Sequence, residues 1–500
     1  MVRELITIQV GQCGNQVGCR FWDLALAEHS KAAEEAGGGR ERERAGPVYD
    51  DALSSFFTNV DSRSGRRLDV GSRLASLRAR AVLVDMEEGV VNSIAASPLG
   101  ELFEAKQFIT DQSGSGNNWA HGHAMYGPQY ADALAESIRV QAEACDSLQS
   151  FFSLHSMGGG TGSGLGTFIL NLLADEYPSV YRFTTAVFPS PDDDVVTSPY
   201  NSVLAAAQLV EHADCVLPLE NASLLSILSR IEVDLTPRER ARRKADSALT
   251  DAPDYASDSS ASSSAYVAGT GGAVKKKKAR AFDKMNNIAA RLLLNLTASM
   301  RFEGSLNVDL NEVTMNLVPF PRLHFLLSSL TPLYSLADVA LPPRALNQMF
   351  SDAFAPAHQL TSVDPRVGAY LACGLMVRGD VLMSDIRRNI DRMKPRLNFA
   401  YWNQEGWKVG LCATPPIGQK RSLLTLANHT GMATMFDGLR ARFLKLYARK
   451  VYIHHYTKYI EQEAFTQALE TVEAMISDYS ALESAAPPPV SSGLRVASTF

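Results

Sequence analysis

The chain has 500 residues, 46% of them hydrophobic, and a formal net charge of −6. That length supports two or three domains with sizeable cores, and the mild negative charge excludes a generic nucleic-acid binder. Cys13, Cys19, Cys145, Cys215, Cys373 and Cys412 are widely spaced with no CxxC pair, which excludes a disulfide framework or thiolate zinc site and suits a reducing compartment.

Met1-Val2-Arg3-Glu4-Leu5-Ile6 lacks a signal-peptide pattern, and no apolar run is long enough to span a bilayer, so a soluble, cytoplasmic chain without membrane contact is expected. Leu5 to Val10 reads as a strand. It opens into Gly11-Gln12-Cys13-Gly14-Asn15-Gln16, and a helix follows to about His29. Ala36 to Gly46 reads as a flexible loop. Ala81 to Val84 is a second buried strand, ending in Asp85-Met86-Glu87. Ser113 to Asn118 is a polar loop. Phe151 to His155 is the next strand, followed by Gly158-Gly159-Gly160-Thr161-Gly162-Ser163-Gly164 and a helix over Leu165–Leu173. Arg182 to Phe188 and Cys215 to Pro218 are further strands, the second ending near Asn221. Strands alternating with helices predict an α/β fold with a parallel sheet, and ligands sit outside the C-terminal strand ends of such sheets. Every polar loop named here follows a strand.

Residues 231–281 break the pattern. Charged, then Ser/Ala/Asp-rich, then ending in Lys275 to Lys278, they read as a mostly disordered insertion. The Lys run can touch an acidic partner or simply be a solvated linker. The expected domains are 1–281 for nucleotide binding, a central helix over 282–300, a second α/β domain over 301–428, a helical pair over 429–482 and a flexible tail from 483. Phe436, Leu439, Phe443, Leu446 and Tyr447 mark one helix of the pair, and Phe465, Leu469, Val472, Met475, Ile476 and Tyr479 the other.

The glycine-rich turn is an anion cradle, because backbone N–H groups converge at a helix N-terminus. Gly159 and Gly164 have P-loop spacing, but Leu165 stands where the P-loop lysine belongs. No frame supplies GxGxxG, which removes the dinucleotide fingerprint and with it a dinucleotide-dependent enzyme. Backbone dipoles, a cation and polar side chains must neutralise the phosphates instead. Asp85 and Glu87 offer hard oxygens for Mg²⁺, or are a solvated strand end. Gln12 and Gln16, one helical turn apart, can face the same phosphate. Asn221 and Asn286 can read a purine edge, and Phe282 can stack on a base. Taken singly, these three are ordinary turn, cap and core residues.

Together these residues resemble the tubulins. GQCGNQ at 11–16, VDMEEG at 84–89, GSGNNWAHGH at 114–123, GGGTGSG at 158–164, SPYN at 198–201, GSLNVDLNE at 304–312 and NLVPFPRLHF at 316–325 occur in the family's order, over nearly the whole chain. Residues 347–354, Trp402 to Lys408, Asp192 to Asp194 and the long insertion look most like the epsilon branch. The resemblance implies a GTP/GDP site in which Ser156 and Gly158, Gly159, Gly160, Thr161, Gly162, Ser163 and Gly164 bind phosphates, helped by Gln12 and Cys13. It implies that Asn117 reaches the terminal phosphate, that Asp85 and Glu87 lie by Mg²⁺, and that Asn221 and Asn286 bind guanine. Phe282 would stack where the family usually has Tyr. Glu312, at the end of the 304–312 loop, would act in trans on a neighbouring subunit's GTP.

Some positions depart from the family. Ser198 replaces the Glu that touches ribose, Leu330–Pro343 is short and poor in basic residues, and the acidic tail is missing. Sugar contacts, sideways packing into a microtubule wall and binding of tail-reading motors are therefore not expected to follow the family. The implied role is in centriole or basal-body doublet and triplet microtubules, with other tubulins (delta-tubulin among them) and centriolar proteins as partners. The alternative is a nucleotide-binding scaffold that neither polymerises nor hydrolyses GTP.

Overall fold

A computed structural model describes residues 3–36, 47–191, 193–234, 271–302, 304–333 and 344–485. The N-terminal body is built on a six-stranded, wholly parallel sheet in the order β6-β5-β1-β7-β8-β9. Its strands are β1 (Glu4–Val10), β5 (Ala81–Asp85), β6 (Phe108–Thr110), β7 (Leu148–Ser156), β8 (Tyr181–Phe188) and β9 (Cys215–Glu220). A small antiparallel sheet of β2 (Phe57–Val60), β3 (Arg67–Leu68) and β4 (Ser76–Ala79) precedes β5. The central strands are buried on both faces; every residue of β1 and β5 is buried, including the polar Glu4, Thr7 and Gln9. That is the signature of a parallel sheet covered by helices on both sides.

Strand order decides where a ligand sits. The chain runs outward from β1 to β5 and β6, then returns to place β7 on the other side of β1. The order therefore reverses between β1 and β7, and the loops leaving their C-terminal ends diverge to leave a crevice. Those loops begin at Gly11 and Met157, so topology alone brings GQCGNQ and GGGTGSG together.

The second body carries a mixed sheet in the order β10-β13-β11-β12, made of β10 (Leu326–Thr331), β11 (Tyr370–Gly379), β12 (Trp407–Cys412) and β13 (Arg421–His429). Only the β11–β12 pair is parallel. The two bodies are stitched by backbone hydrogen bonds, from Val216 N–H to His324 C=O at 2.9 Å and from Glu220 N–H to Leu360 C=O at 3.0 Å. A buried ionic pin adds to them. Glu28, on the first helix (Gly11–Ala36), accepts from Arg301 at 2.7 Å and from Arg378 of β11 at 2.9 Å. Burial alone would raise the Glu28 carboxyl, but the two guanidiniums outweigh it and hold it below the usual carboxylate range.

The helix between the bodies runs from Gly271 to Leu296. It therefore starts upstream of Phe282, and residues 271–281, expected to belong to a disordered insertion, are helical in their backbone; residues 231–234 likewise end the helix Asn221–Asp234. Good helix formers, Lys and Ala among them, fill residues 273–281. The central helix also stops earlier than expected. It breaks at Thr297, where the short helix Ala298–Arg301 begins. The rest of the expected insertion, the 36–46 loop beyond Ala36, most of Leu330–Pro343 and the tail from 486 lie outside the described residues. The first helix reaches Ala36, past His29.

The closing helices, Met432–Tyr447 and Glu463–Ser484, pack on Ser198–His212. Small residues such as Ala205, Ala206 and Ala207 are buried there and let the outer helices approach closely. The two expected apolar stripes form this contact, with Phe436, Leu439, Phe443, Phe465, Val472 and Tyr479 buried in one cluster.

Candidate nucleotide site

The cradle follows β7. Ser156 is its last residue, and the backbone turns through Met157, Gly158 and Gly159 before winding into a helix. That helix opens as one wide turn over Thr161–Leu165, then continues as Gly166–Glu176. The sequence placed the helix start at Leu165, but the last residues of the glycine stretch are already helical.

The glycines divide into two groups. A Cβ on Gly160 would lie 2.5 Å from the Asn118 backbone nitrogen, one on Gly162 2.9 Å from the Ser156 carbonyl oxygen, and one on Gly164 2.3 Å from the Trp119 carbonyl oxygen. These three are glycine because neighbouring backbone leaves no room. A Cβ on Gly159 would meet only Asn117 Oδ1 at 3.7 Å and Ser156 Oγ at 3.8 Å, which are ordinary contacts. Gly159 is the open part of the cradle, and the side chains beside it are two of the predicted phosphate ligands. Gly158 faces Asp193 and Pro189.

Gly11 follows β1 with a φ of +73°, the left-handed region that glycine alone enters freely. A Cβ there would lie 3.1 Å from the Gly162 nitrogen, so the β1 loop and the cradle touch through backbone. The helix beginning at Gly11 carries Gln12, exposed, and Cys13 and Gln16, half-buried. Burial pushes the Cys13 thiol up to about 12, so it is a neutral packing group, not a nucleophile.

Three residues that sequence reasoning did not single out hold the loops in place. Asn201 is fully buried. Its amide nitrogen donates to the carbonyls of Asn117 and Gly158, each at 2.8 Å, and its oxygen accepts from the Trp119 N–H at 2.9 Å. Asn15 ties Gly11 C=O at 3.0 Å to Val84 C=O at 3.1 Å, joining the ends of β1 and β5. Ser115 Oγ and Thr161 Oγ1 lie 2.9 Å apart, linking the 113–118 loop to the helix start. Each sits inside a quoted motif (SPYN, GQCGNQ and GSGNN), and those motifs were their only signal. Asn117 itself has a φ of +53°, a conformation Asn tolerates better than most residues.

At the end of β5, Asp85 is 3% exposed and its Oδ2 has no hydrogen-bond partner. Its Oδ1 accepts from the Glu87 N–H at 3.3 Å. Burial raises the Asp85 carboxyl to about 7. The exposed Glu87 lies against Gly114, whose added Cβ would stand 2.8 Å from Glu87 Oε1. A buried carboxyl with an orphan oxygen beside a second carboxylate fits a divalent cation held directly or through water. Among the described residues no cluster of three or more His, Cys, Asp or Glu side chains could hold a metal alone, so the phosphates would have to complete the ligand set.

Asn221 begins the helix Asn221–Asp234, while Phe282 and Asn286 lie on Gly271–Leu296, which packs on both that helix and the first one. Both Asn residues are half-buried, and Phe282 is 41% exposed, so its ring is available for stacking. Ser198 is buried in the first turn of its helix, behind the loop.

The matches to known proteins fall on these parts. Residues 4–229 match the model for the Tubulin/FtsZ family, GTPase domain, and residues 321–441 the Tubulin C-terminal domain. The chain is 54% identical over 492 residues to the mouse tubulin epsilon chain, covering 97% of this chain and 98% of the mouse protein. This chain is a tubulin. It is 53% identical to the human tubulin epsilon chain over the same length, and 32% identical to the Suillus bovinus tubulin beta-2 chain over 96% of each. Its N-terminal body is accordingly a GTPase-type domain, whose ligand is GTP or GDP, and the chain is a cytoskeletal subunit of the tubulin type. No helix among the described residues is long and apolar enough to cross a membrane.

Glu312 of this tubulin lies far from its own cradle, in the first turn of the helix Leu310–Leu317. Asp309 caps that helix by accepting from the Glu312 N–H at 2.7 Å, and Asp309 is itself tied to Arg3 at 3.0 Å. Arg3 immediately precedes β1, and Gly11 immediately follows its other end. The Glu312 helix and the cradle therefore sit at opposite ends of the same strand. The Glu312 carboxylate is paired with the Lys408 ammonium of β12, and both side chains are part-exposed.

Proposed function

We propose that this tubulin holds GTP or GDP with Mg²⁺ at the cradle and presents Glu312 to the nucleotide of a neighbouring subunit. On this reading the backbone N–H groups of Gly158 and Gly159, the Ser156 hydroxyl and the side chains of Gln12, Gln16 and Asn117 hold phosphate oxygens. Thr161, Ser163 and the close-packed glycines Gly160, Gly162 and Gly164 shape the backbone that carries them. Cys13 packs at the floor. Asn221 and Asn286 read guanine, and Phe282 stacks on it. Asp85 and Glu87 hold the cation, which when bound neutralises phosphate charge.

The observation that carries the reading is the placement of Glu312 at the end of β1 opposite the cradle, on a capped helix with its carboxylate part-exposed. A carboxylate so placed cannot serve its own nucleotide, but can meet that of a subunit stacked beneath. There it orients a water for in-line attack. The water oxygen bonds to the γ-phosphorus, the bond to the β–γ bridging oxygen breaks with its electron pair leaving on GDP, and the water proton passes to Glu312 and on to solvent. We place this activity in centriolar or basal-body doublet and triplet microtubules, at the centrosome or cilium base, with other tubulins, delta-tubulin among them, and centriolar proteins as partners. The test is the nucleotide and partners that co-purify with the full chain, together with phosphate release by its native complex. A Glu312→Ala chain releasing phosphate in that complex as fast as the wild type removes the trans role.

A second reading, a nucleotide-holding scaffold without hydrolysis, draws on one observation: Glu312 is already committed to Lys408 within its own chain. Unhydrolysed GTP retained throughout the native complex supports it.

A further inference from the structure

We propose that Lys408 is delivered with Glu312 to the neighbouring subunit's nucleotide, and supplies there the phosphate-binding cation that the cradle lacks. The inference rests on the trans reading of Glu312 and goes a step beyond it. Three observations converge on this residue.

The first is a charge deficit. Leu165 occupies the position where a P-loop would have its lysine, and the side chains found against the cradle glycines are those of Ser115, Asn117, Ser156, Pro189 and Asp193, all neutral or acidic. A polyphosphate in this cradle is met by backbone dipoles and one divalent cation, with no ammonium or guanidinium from these neighbours.

The second is the geometry of the pair. Glu312 projects from a helix fixed by Asp309 and Arg3, while Lys408 projects from β12, paired through the Gly374–Lys408 register to the interior of the second sheet. Two rigid elements thus bring a carboxylate and an ammonium together at one part-exposed point. An ammonium has three N–H donors. Among the described residues Lys408 Nζ spends one, on Glu312 Oε2, and its remaining donors are free for phosphate oxygens.

The third is electrostatic. A lone carboxylate brought against the terminal phosphate of GTP meets like charge in a site from which water is leaving, where such repulsion is strongest. Pairing Glu312 with Lys408 makes the incoming group neutral overall and places its positive end beside the phosphate. Lys408 moves no proton in this scheme. It stays an ammonium, and offsets the charge that builds on the γ-phosphoryl oxygens as the bond to GDP breaks.

The experiment uses the full chain in the complex it forms with its co-purifying tubulins, loaded with GTP. Phosphate release, sedimentation of the assembly and GTP retention are measured for Lys408→Gln, Lys408→Arg and Glu312→Gln. The expected result is phosphate release slowed about 100-fold by Lys408→Gln, with sedimentation and retention as in the wild type. Lys408→Arg should recover to within about tenfold of the wild type, because a guanidinium keeps the charge but not the point geometry. Wild-type phosphate release by Lys408→Gln, with Glu312→Gln slow, overturns the role of Lys408 and leaves that of Glu312 standing. Wild-type rates for both variants overturn both. If Lys408→Gln does not assemble, Lys408→Arg decides: release within tenfold of wild type supports the proposal, and release as slow as Glu312→Gln in an intact assembly overturns it.

Discussion

The Tyr456 hydroxyl donates to the side-chain oxygen of Asn201 at 2.6 Å. Asn201 is the amide that ties the 113–118 loop to the cradle, and Tyr456 belongs to the connector between the two closing helices. A second bond, from the Tyr200 hydroxyl to Val451 C=O at 2.9 Å, runs beside it. The connector of the outer helices is thus hydrogen-bonded to the helix Ser198–His212, and through Asn201 it is linked to the nucleotide loops. Tyr456→Phe removes the first bond but leaves Asn201 Oδ1 its Trp119 donor. We expect a loss of about 1 kcal/mol in stability, read by urea unfolding, with GTP retention weakened about threefold. Asn201→Leu frees two loops at once and should release nucleotide far more readily.

The division of the glycines gives a sharper test. Gly162→Ala puts a methyl 2.9 Å from the Ser156 carbonyl oxygen and should cost about 1–3 kcal/mol of overpacking strain, visible as a lowered melting temperature even without nucleotide. Gly159→Ala meets only ordinary contacts, so its stability without nucleotide should match the wild type while GTP binding falls. Equal nucleotide affinity in Gly159→Ala would remove that residue from the phosphate path.

If Asp85 holds the cation as proposed, cation binding should be pH-dependent. Its folded value, about 7, is raised above the ordinary 3.8. Without a cation, the protonated group's contribution to stability is present below pH 4 and is lost as pH rises through 7. The cation needs the ionised carboxylate, so Mg²⁺ affinity should run the other way, weakening about tenfold per pH unit below 7. Titration calorimetry of the nucleotide-loaded chain between pH 6 and 8 reads this slope. Asp85→Asn should flatten it and make the metal-free chain more stable at pH 8 than the wild type.

Glu28 titrates in the opposite sense. Its folded value is depressed by Arg301 and Arg378, so its stabilisation is present above the unfolded carboxylate value and is lost as pH falls through the folded one. Glu28→Gln leaves two buried guanidiniums without a counter-charge and should cost about 3–5 kcal/mol. Thermal unfolding at neutral pH checks this, and the variant should lose less stability than the wild type on acidification.

The parallel sheet and the cradle were legible because their signals are local. Apolar runs such as Ala81-Val82-Leu83-Val84 and the turn at 158–164 each announce themselves within a few residues. The small sheet of β2, β3 and β4 was missed because its strands are two to four residues long and carry Arg67 and Arg78, so neither length nor alternation marks them. Asn201 was missed as a fastener because a buried Asn is recognised by its four partners, which come from three other stretches of chain. Lys408 was missed for the same reason. Its meaning comes from Glu312, 96 positions away in sequence, and no periodicity links them. The central helix ran longer than expected at its N-terminal end because composition alone reads Lys275 to Lys278 as solvated linker.

Strand β1 has a consequence for any assembly. Arg3 at its start is bound to the cap of the Glu312 helix, and Gly11 at its end rests on the cradle. Seven residues of strand span roughly 23 Å, so one straight segment sets the separation between the surface that would receive a neighbour's residues and the surface that would donate them. The two surfaces differ in kind. A contact joining them is heterologous and repeats by translation more naturally than by two-fold rotation. A row of such subunits has a front and a back, and every nucleotide along it except the one at the exposed end is enclosed by the next chain.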